Sequence, residues 1–166
     1  MSSNLEKLDL VPPDKVKGFF GSYYPPPELA SHFISNKLEE IYSVKRVHII
    51  VNPFAGKKNG NKIANIISKE LQELKIDSIT YTTEYANHAE KIVSDISFET
   101  GDSLMSVGGD GTISEIITGL LKRKDSSSDS VPLSIVPSGS GNSQANDMEV
   151  ADYLDAMQRM TVGNLR

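Results

Sequence analysis

The stretch Leu104-Met105-Ser106-Val107-Gly108-Gly109-Asp110-Gly111-Thr112 decides the fold, and a periodic apolar segment over residues 113–121 follows it. The apolar run is short enough for a buried strand, and it stops at glycines that permit a tight turn. The stretch therefore predicts a strand, a loop without bulky side chains and a helix. The amino end of such a helix can accept an anion such as a phosphate. Apolar residues recur in it at helical spacing: Ile113, Ile116, Ile117, Leu120 and Leu121.

Three more predicted strands, over residues 47–51, 79–82 and 131–136, are also short apolar runs. Segments with helical spacing of apolar residues alternate with them. These apolar positions are Ile63, Ile66, Ile67, Leu71, Leu74, Ala89, Ile92, Val93, Ile96, Tyr153, Leu154, Ala156, Met157 and Met160. Strands that read as continuous apolar runs between helices are typical of buried parallel sheets. We therefore predict an α/β fold, with a parallel or mostly parallel sheet and helices on both faces.

The carboxyl ends of these strands carry the candidate site. Glycine-containing loops follow three of the strands, at residues 52–56, 108–112 and 137–142, and Thr83 follows the fourth. Ligands of open α/β sheets bind beyond the carboxyl ends of the strands. Asp110 could orient an attacking hydroxyl, accept its proton or hold magnesium through water. The structural alternative for Asp110 is a surface aspartate in a tight turn.

Two of the polar patterns indicate helix starts. Thr112 and Glu115 have the spacing of a capping box, so a cap competes with a ligand contact as the role of Glu115. Asn87 and Glu90 have the same spacing at the start of the predicted helix 89–96. His88 lies at this second helix start, and we expect it to be structural.

Bulk properties fit one domain with a tail. The 166 residues carry a net charge of −5, which argues against a nucleic-acid partner. The sequence has no cysteine, which excludes disulfides and thiolate metal sites. Residues 1–45 are predicted as a partly ordered leader with a short helix at 28–42, and residues 46–162 as the domain. A GxxxxGK[ST] loop, a complete GxGxxG and the protein-kinase motifs are missing from the sequence.

Four blocks together resemble one known family. They are Val51-Asn52-Pro53-Phe54-Ala55-Gly56, Thr83-Glu84-Tyr85-Ala86-Asn87-His88-Ala89, Gly108-Gly109-Asp110-Gly111-Thr112-Ile113-Ser114-Glu115 and Pro137-Ser138-Gly139-Ser140-Gly141-Asn142. Their order and spacing resemble the catalytic domain of the diacylglycerol kinase and sphingosine kinase superfamily of lipid kinases. The second and fourth blocks are closer to the sphingoid base and ceramide kinase branch, whereas the third has the diacylglycerol kinase spelling.

The resemblance implies an ATP-dependent and magnesium-assisted transfer of the γ-phosphoryl group to a lipid hydroxyl. Asp110 matches the family's general base, and no protein-only metal site is expected. The positions that match nucleotide-contacting residues are Asn52, Pro53, Gly56, Thr83, Gly108, Gly109, Gly111, Thr112, Glu115, Ser138, Gly139, Ser140, Gly141 and Asn142. We further expect a cytoplasmic protein that contacts membranes transiently and that could form homo-oligomers. Residues 163–166 would begin the family's second, β-rich lipid domain, which is expected to be missing.

Two other functions stay open at this stage. NAD kinases share the sequence Gly-Gly-Asp-Gly-Thr, but they normally carry an Asn-Glu pair where this chain has residues 137–142. A catalytically silent nucleotide-binding module is the second alternative. The short carboxyl terminus favours it, whereas the intact loop around Asp110 argues against it.

Overall fold

The computed structural model describes residues 43–56, 58–125 and 131–161. The helix predicted over residues 28–42 and the domain start predicted at 163–166 lie outside these ranges, as does most of the predicted leader. Four strands form one sheet: β1 (Arg46–Val51), β2 (Asp77–Thr82), β3 (Asp102–Gly108) and β4 (Leu133–Pro137). Their order is β2-β1-β3-β4, and every neighbouring pair is parallel. The predicted parallel sheet is confirmed.

Five helices accompany the sheet: α1 (Gly60–Glu73), α2 (His88–Asp95), α3 (Asp110–Leu121), α4 (Ser143–Asp147) and α5 (Tyr153–Thr161). Side chains of α1 and α5 share one buried cluster with Val47, Ile49 and Val51 of β1. Side chains of α2 and α3 share a second cluster with Ile50 and Leu104. Alternate residues of β1 thus point into two cores, so both faces of the sheet are covered as predicted. This explains why the inner strands read as continuous apolar runs.

Some residues predicted to face the core are exposed. In α3, Ile113, Ile116 and Leu120 are buried, but Ile117 is 40% exposed and Leu121 is 77% exposed. A helix turns about 100° per residue, so positions next to the buried stripe rotate toward solvent. The same reason accounts for the exposed Leu154 in α5, and Leu74 is exposed because it lies just past the end of α1. The apolar periodicity predicted the positions of these helices correctly, but it predicted buried faces wider than those in the structure.

A buried polar pair joins the two inner strands on the α2–α3 face. His48 Nε2 lies 3.1 Å from Asp102 Oδ2, and His48 Nδ1 lies 3.3 Å from the Tyr81 hydroxyl oxygen. Asp102 also accepts a hydrogen bond from the Glu99 backbone N–H. A cavity of about 430 Å³ beside this pair is lined by Arg46, His48, Tyr81 and residues of α2. The polar groups of His48, Tyr81 and Asp102 are largely hydrogen-bonded to one another, so we assign the His48–Asp102 pair a structural role.

Helices α2 and α3 approach closely at Gly119. A Cβ atom added to Gly119 would lie 2.6 Å from the Glu90 carbonyl oxygen and 3.0 Å from Val93 Cβ.

Among the residues that the structure describes, no helix is both long and apolar enough to span a bilayer.

Gly119→Ala should therefore lower the free energy of unfolding by about 1–3 kcal/mol, because the added methyl group overpacks the α2–α3 contact. Gly111→Ala is the matched control in the same helix, since nothing lies within 4 Å of an added Cβ there. The control should leave stability unchanged or raise it slightly. Urea unfolding of both variants measures the difference, and equal stabilities would contradict the close helix contact.

Candidate functional site

The carboxyl ends of all four strands meet at one edge of the sheet. Val51 pairs with both Thr82 and Val107, and Gly108 pairs with Pro137. From β1 the chain passes to β2 on one side and then to β3 on the other, so the strand order reverses between β1 and β3. Such a switch point is the usual ligand crevice of an open α/β sheet. The loops after β1 and β3 lie at this point.

The loop after β1 is attached to the start of α3. Asn52 Nδ2 donates to Thr112 Oγ1 at 3.3 Å, and Asn52 Oδ1 accepts from the Phe54 backbone N–H at 3.0 Å. Pro53 ends the strand, as predicted. Gly56 has a φ of +52°, and a Cβ there would lie 2.5 Å from the Ser138 carbonyl oxygen. Both the backbone conformation and the close contact require glycine at this position.

The loops after β3 and β4 touch through their backbones. A Cβ on Gly139 would lie 2.5 Å from Gly109 Cα, and one on Gly108 would lie 2.5 Å from Thr112 Oγ1. These glycines are therefore required by contacts within the protein. Gly111 and Gly141 differ from them. An added Cβ at Gly111 meets nothing within 4 Å, and one at Gly141 meets only Asp110 Oδ2, at an ordinary 3.5 Å. Gly111 and Gly141 are thus the glycines beside which a ligand has room.

Asp110 joins α3 to α4. Its Oδ1 accepts a hydrogen bond from the Gln144 backbone N–H at 3.1 Å, and its Oδ2 accepts one from the Ser143 backbone N–H at 3.0 Å. These bonds, from Gln144 first and then Ser143, hold the pKa of the Asp110 carboxyl below its ordinary value. A carboxylate with a lowered pKa is a weaker base at neutral pH. Both oxygens of the Asp110 carboxylate thus already accept hydrogen bonds within the protein.

The predicted capping box is wrong. Gly109 is the residue before α3, so Thr112 lies inside the helix and makes no cap. Glu115 instead reaches α2, where its two carboxylate oxygens accept the backbone N–H groups of Asn87 (2.9 Å) and Ala89 (3.1 Å).

The cap predicted from Asn87 and Glu90 is wrong as well. Asn87 does precede α2, but it has a left-handed φ of 65° and, within the described ranges, its side chain makes no capping bond. Glu115 caps this helix from α3. Glu115 is so far from Asn87 and Ala89 in the sequence that no local sequence pattern indicates this contact. His88 is structural in this geometry, because its Nδ1 accepts the Glu84 N–H and its ring stacks on Tyr85.

Asn142 closes its own loop. Its Oδ1 accepts the Gly139 N–H at 2.9 Å, and its Nδ2 donates to the Gly139 carbonyl oxygen at 3.1 Å. Ser138 Oγ and Gln144 Oε1, at the two ends of this segment, are buried and have no hydrogen-bond partner in the part of the chain that the structure describes. Buried polar atoms without partners usually mark a place for water or a ligand. The sequence did not single out Gln144.

The structure therefore brings the predicted site residues together at one edge, in three kinds of position. The first are closely packed glycines: Gly56, Gly108, Gly109 and Gly139. Asn52, Thr112, Glu115 and Asn142 use their side chains to hold neighbouring loops. Three further positions are exposed at this edge, Gly111, Ser140 and Gly141, whereas Thr83 and the Ser138 hydroxyl are buried. Within the described ranges, no group of three His, Cys, Asp or Glu side chains could hold a metal ion.

Comparison with known proteins gives a matching family model and several relatives. The diacylglycerol kinase catalytic domain matches residues 46–166. Sphingosine kinase 1 of Arabidopsis thaliana is 37% identical over 100 residues, which are 59% of this chain and 21% of that protein. Ceramide kinase of Arabidopsis thaliana is 34% identical over 109 residues, which are 64% of this chain and 17% of that protein. The chain thus spans about a fifth of the length of these relatives.

A solved structure shares the fold. The crystal structure of a diacylglycerol kinase from Bacillus anthracis superposes with a TM-score of 0.57 at 24% identity, and the match covers 72% of this chain and 42% of that one. At this identity the match supports the fold alone.

Glu115→Ala should lower the free energy of unfolding by about 0.5–2 kcal/mol, because α2 loses the carboxylate that caps its amino end. Ser114→Ala, at the exposed neighbouring position of the same helix, is the matched control and should change stability little. Thermal unfolding without any ligand measures both. If Glu115→Ala unfolds like the wild type, the carboxylate does not act as this cap.

Proposed function

Because this chain belongs to the diacylglycerol kinase catalytic domain family, we propose that it is the nucleotide-binding part of an ATP-dependent lipid kinase. The observation that carries the proposal is the open space beside Gly111 and Gly141. The Ser138 hydroxyl, at the start of the same loop as Gly141, has no hydrogen-bond partner among the residues that the structure describes. A polyphosphate needs close backbone approach and hydrogen-bond donors, and these loops offer both.

ATP would lie across the loops after β1, β3 and β4. The first N–H groups of α3 have no partner within the helix, and they would face the phosphates beside Gly111. Ser138 and Ser140 would donate hydroxyl hydrogen bonds, and Thr83 would border the nucleotide at the end of β2. Bound with the nucleotide, magnesium would neutralise charge on the β- and γ-phosphates. The contacts assigned to Asn52, Pro53, Glu115 and Asn142 stay predictions.

Asp110 would accept a hydrogen bond from the acceptor hydroxyl and orient it toward the γ-phosphorus. Each carboxylate oxygen has a second lone pair, so this bond is compatible with those from Ser143 and Gln144. Phosphoryl transfer has a loose transition state in most analyses, so positioning and charge neutralisation matter more than early proton removal. We therefore assign Asp110 an orienting role, in which its lowered pKa keeps it ionised.

A sphingoid base or ceramide is the acceptor that we propose. The similarity to sphingosine kinase 1 and ceramide kinase supports it, as do the second and fourth sequence blocks. Two aromatic side chains next to the site, Phe54 (68% exposed) and Tyr85 (56% exposed), offer apolar surface for brief membrane contact. We propose a cytoplasmic protein that meets its lipid at a membrane surface.

The test uses labelled ATP with magnesium and a panel of sphingoid base, ceramide, diacylglycerol and NAD. Gly111→Val should abolish nucleotide binding and product formation, because its side chain would fill the space beside the phosphates. Its melting temperature should stay close to that of the wild type, because nothing in the protein lies near an added Cβ.

Gly119→Ala is the matched control, because it perturbs α3 on the side away from the loops. Folded Gly119→Ala protein should bind ATP like the wild type. A labelled lipid from the wild type that is lost in Gly111→Val supports the proposal. Phosphorylated NAD without a lipid product contradicts it, and so does a folded wild type that binds no ATP.

A further inference from the structure

The loop formed by residues 138–142 is fixed at both ends. At its start, the Ser138 N–H donates to the Gly108 carbonyl oxygen at 3.0 Å, which extends the sheet ladder, and Gly139 packs on Gly109. At its far end, Asp110 accepts the Ser143 and Gln144 N–H groups. We call these last two hydrogen bonds the Asp110 clamp.

Helix α4 depends on an outside cap. It has five residues, and in the part of the chain that the structure describes its own N-cap residue, Asn142, makes no capping bond with its side chain. The side chain of Asn142 is bonded to Gly139 instead: its Oδ1 accepts the Gly139 N–H, and its Nδ2 donates to the Gly139 carbonyl oxygen. A helix this short is unstable on its own, and its first N–H groups need acceptors. Asp110 supplies both acceptors from a different helix.

We propose that Asp110 is a positioning residue that fixes the loop 138–142 for nucleotide through the Asp110 clamp. This role is separate from its contact with the acceptor hydroxyl. The nucleotide part rests on the proposed function, whereas the clamp itself does not. If the clamp opens, the loop and α4 populate other conformations, and ATP affinity falls in proportion to the fraction that stays competent.

Hydrogen exchange tests the clamp without any nucleotide. In the full chain, Asp110→Ala should speed the exchange of the Ser143 and Gln144 amides at least tenfold, while α1 keeps the wild-type rate. Asp110→Asn retains one oxygen acceptor, so it should give an intermediate rate. Unchanged exchange at both amides in Asp110→Ala would overturn the proposal.

Titration with magnesium and ATP in the absence of lipid tests the consequence. Loss of hydrogen bonds to a charged group should weaken ATP binding about tenfold in Asp110→Ala and less in Asp110→Asn. A carboxylate that serves only the acceptor hydroxyl would leave ATP affinity unchanged in both variants, and this result would overturn the positioning role.

Ser143 offers a variant pair that leaves the carboxylate intact. Ser143→Pro removes one donor of the clamp, and proline is tolerated at the first position of a helix. It should weaken ATP binding as Asp110→Asn does. Ser143→Ala keeps the N–H and loses only the weaker contact of the Ser143 hydroxyl with Asp110, so it should bind ATP more tightly than Ser143→Pro. Equal ATP affinity of the Pro and Ala variants would contradict the clamp.

The two proposals fail differently. If the wild type binds no ATP, the proposed function is wrong, but the exchange experiment still decides the clamp. If ATP binds and exchange is unaffected by Asp110→Ala, the clamp is wrong and the proposed function stands. A melting temperature measured for each variant separates local loosening from global unfolding.

Discussion

The site depends on the contact between two glycine backbones, Gly109 and Gly139. A single methyl group on Gly139 would overlap Gly109 Cα, so the loops after β3 and β4 can meet only in the absence of side chains. Gly56 brings the loop after β1 to the same place, against the Ser138 carbonyl oxygen. Three strand ends thereby form one continuous surface of backbone. Interiors are close-packed, so such contacts allow little variation.

Polar side chains complete this arrangement by holding loops rather than by facing outward. Asn52, Asp110, Glu115 and Asn142 each bind a neighbouring loop or helix start. Open space remains beside Gly111 and Gly141. This division fits the proposed phosphate site, in which backbone N–H and hydroxyl groups rather than these polar side chains would contact the phosphates. It also explains why the pKa of Asp110 is lowered, since the backbone N–H groups of Gln144 and Ser143 donate to its carboxylate.

The sequence predicted the sheet, its parallel pairing and the meeting of the glycine loops at one edge, because apolar runs and glycine loops are local signals. It also predicted most helix positions. It did not predict which glycines serve packing, since Gly108 and Gly111 differ only in what lies next to them in space. It assigned both caps wrongly, because Glu115 lies 26 residues from Ala89 and acts on a different helix. Long-range polar contacts of this kind leave no periodic pattern.

Nuclear magnetic resonance titration of the ¹⁵N-labelled chain with magnesium and ATP tests the central claim most directly. The account predicts that the amide signals of Gly111, Ser140 and Gly141 shift together, while those beside the buried His48–Asp102 pair stay in place. Shifts confined to the cavity beside His48, or no shifts at saturating ATP, would contradict a nucleotide site at the carboxyl edge of the sheet.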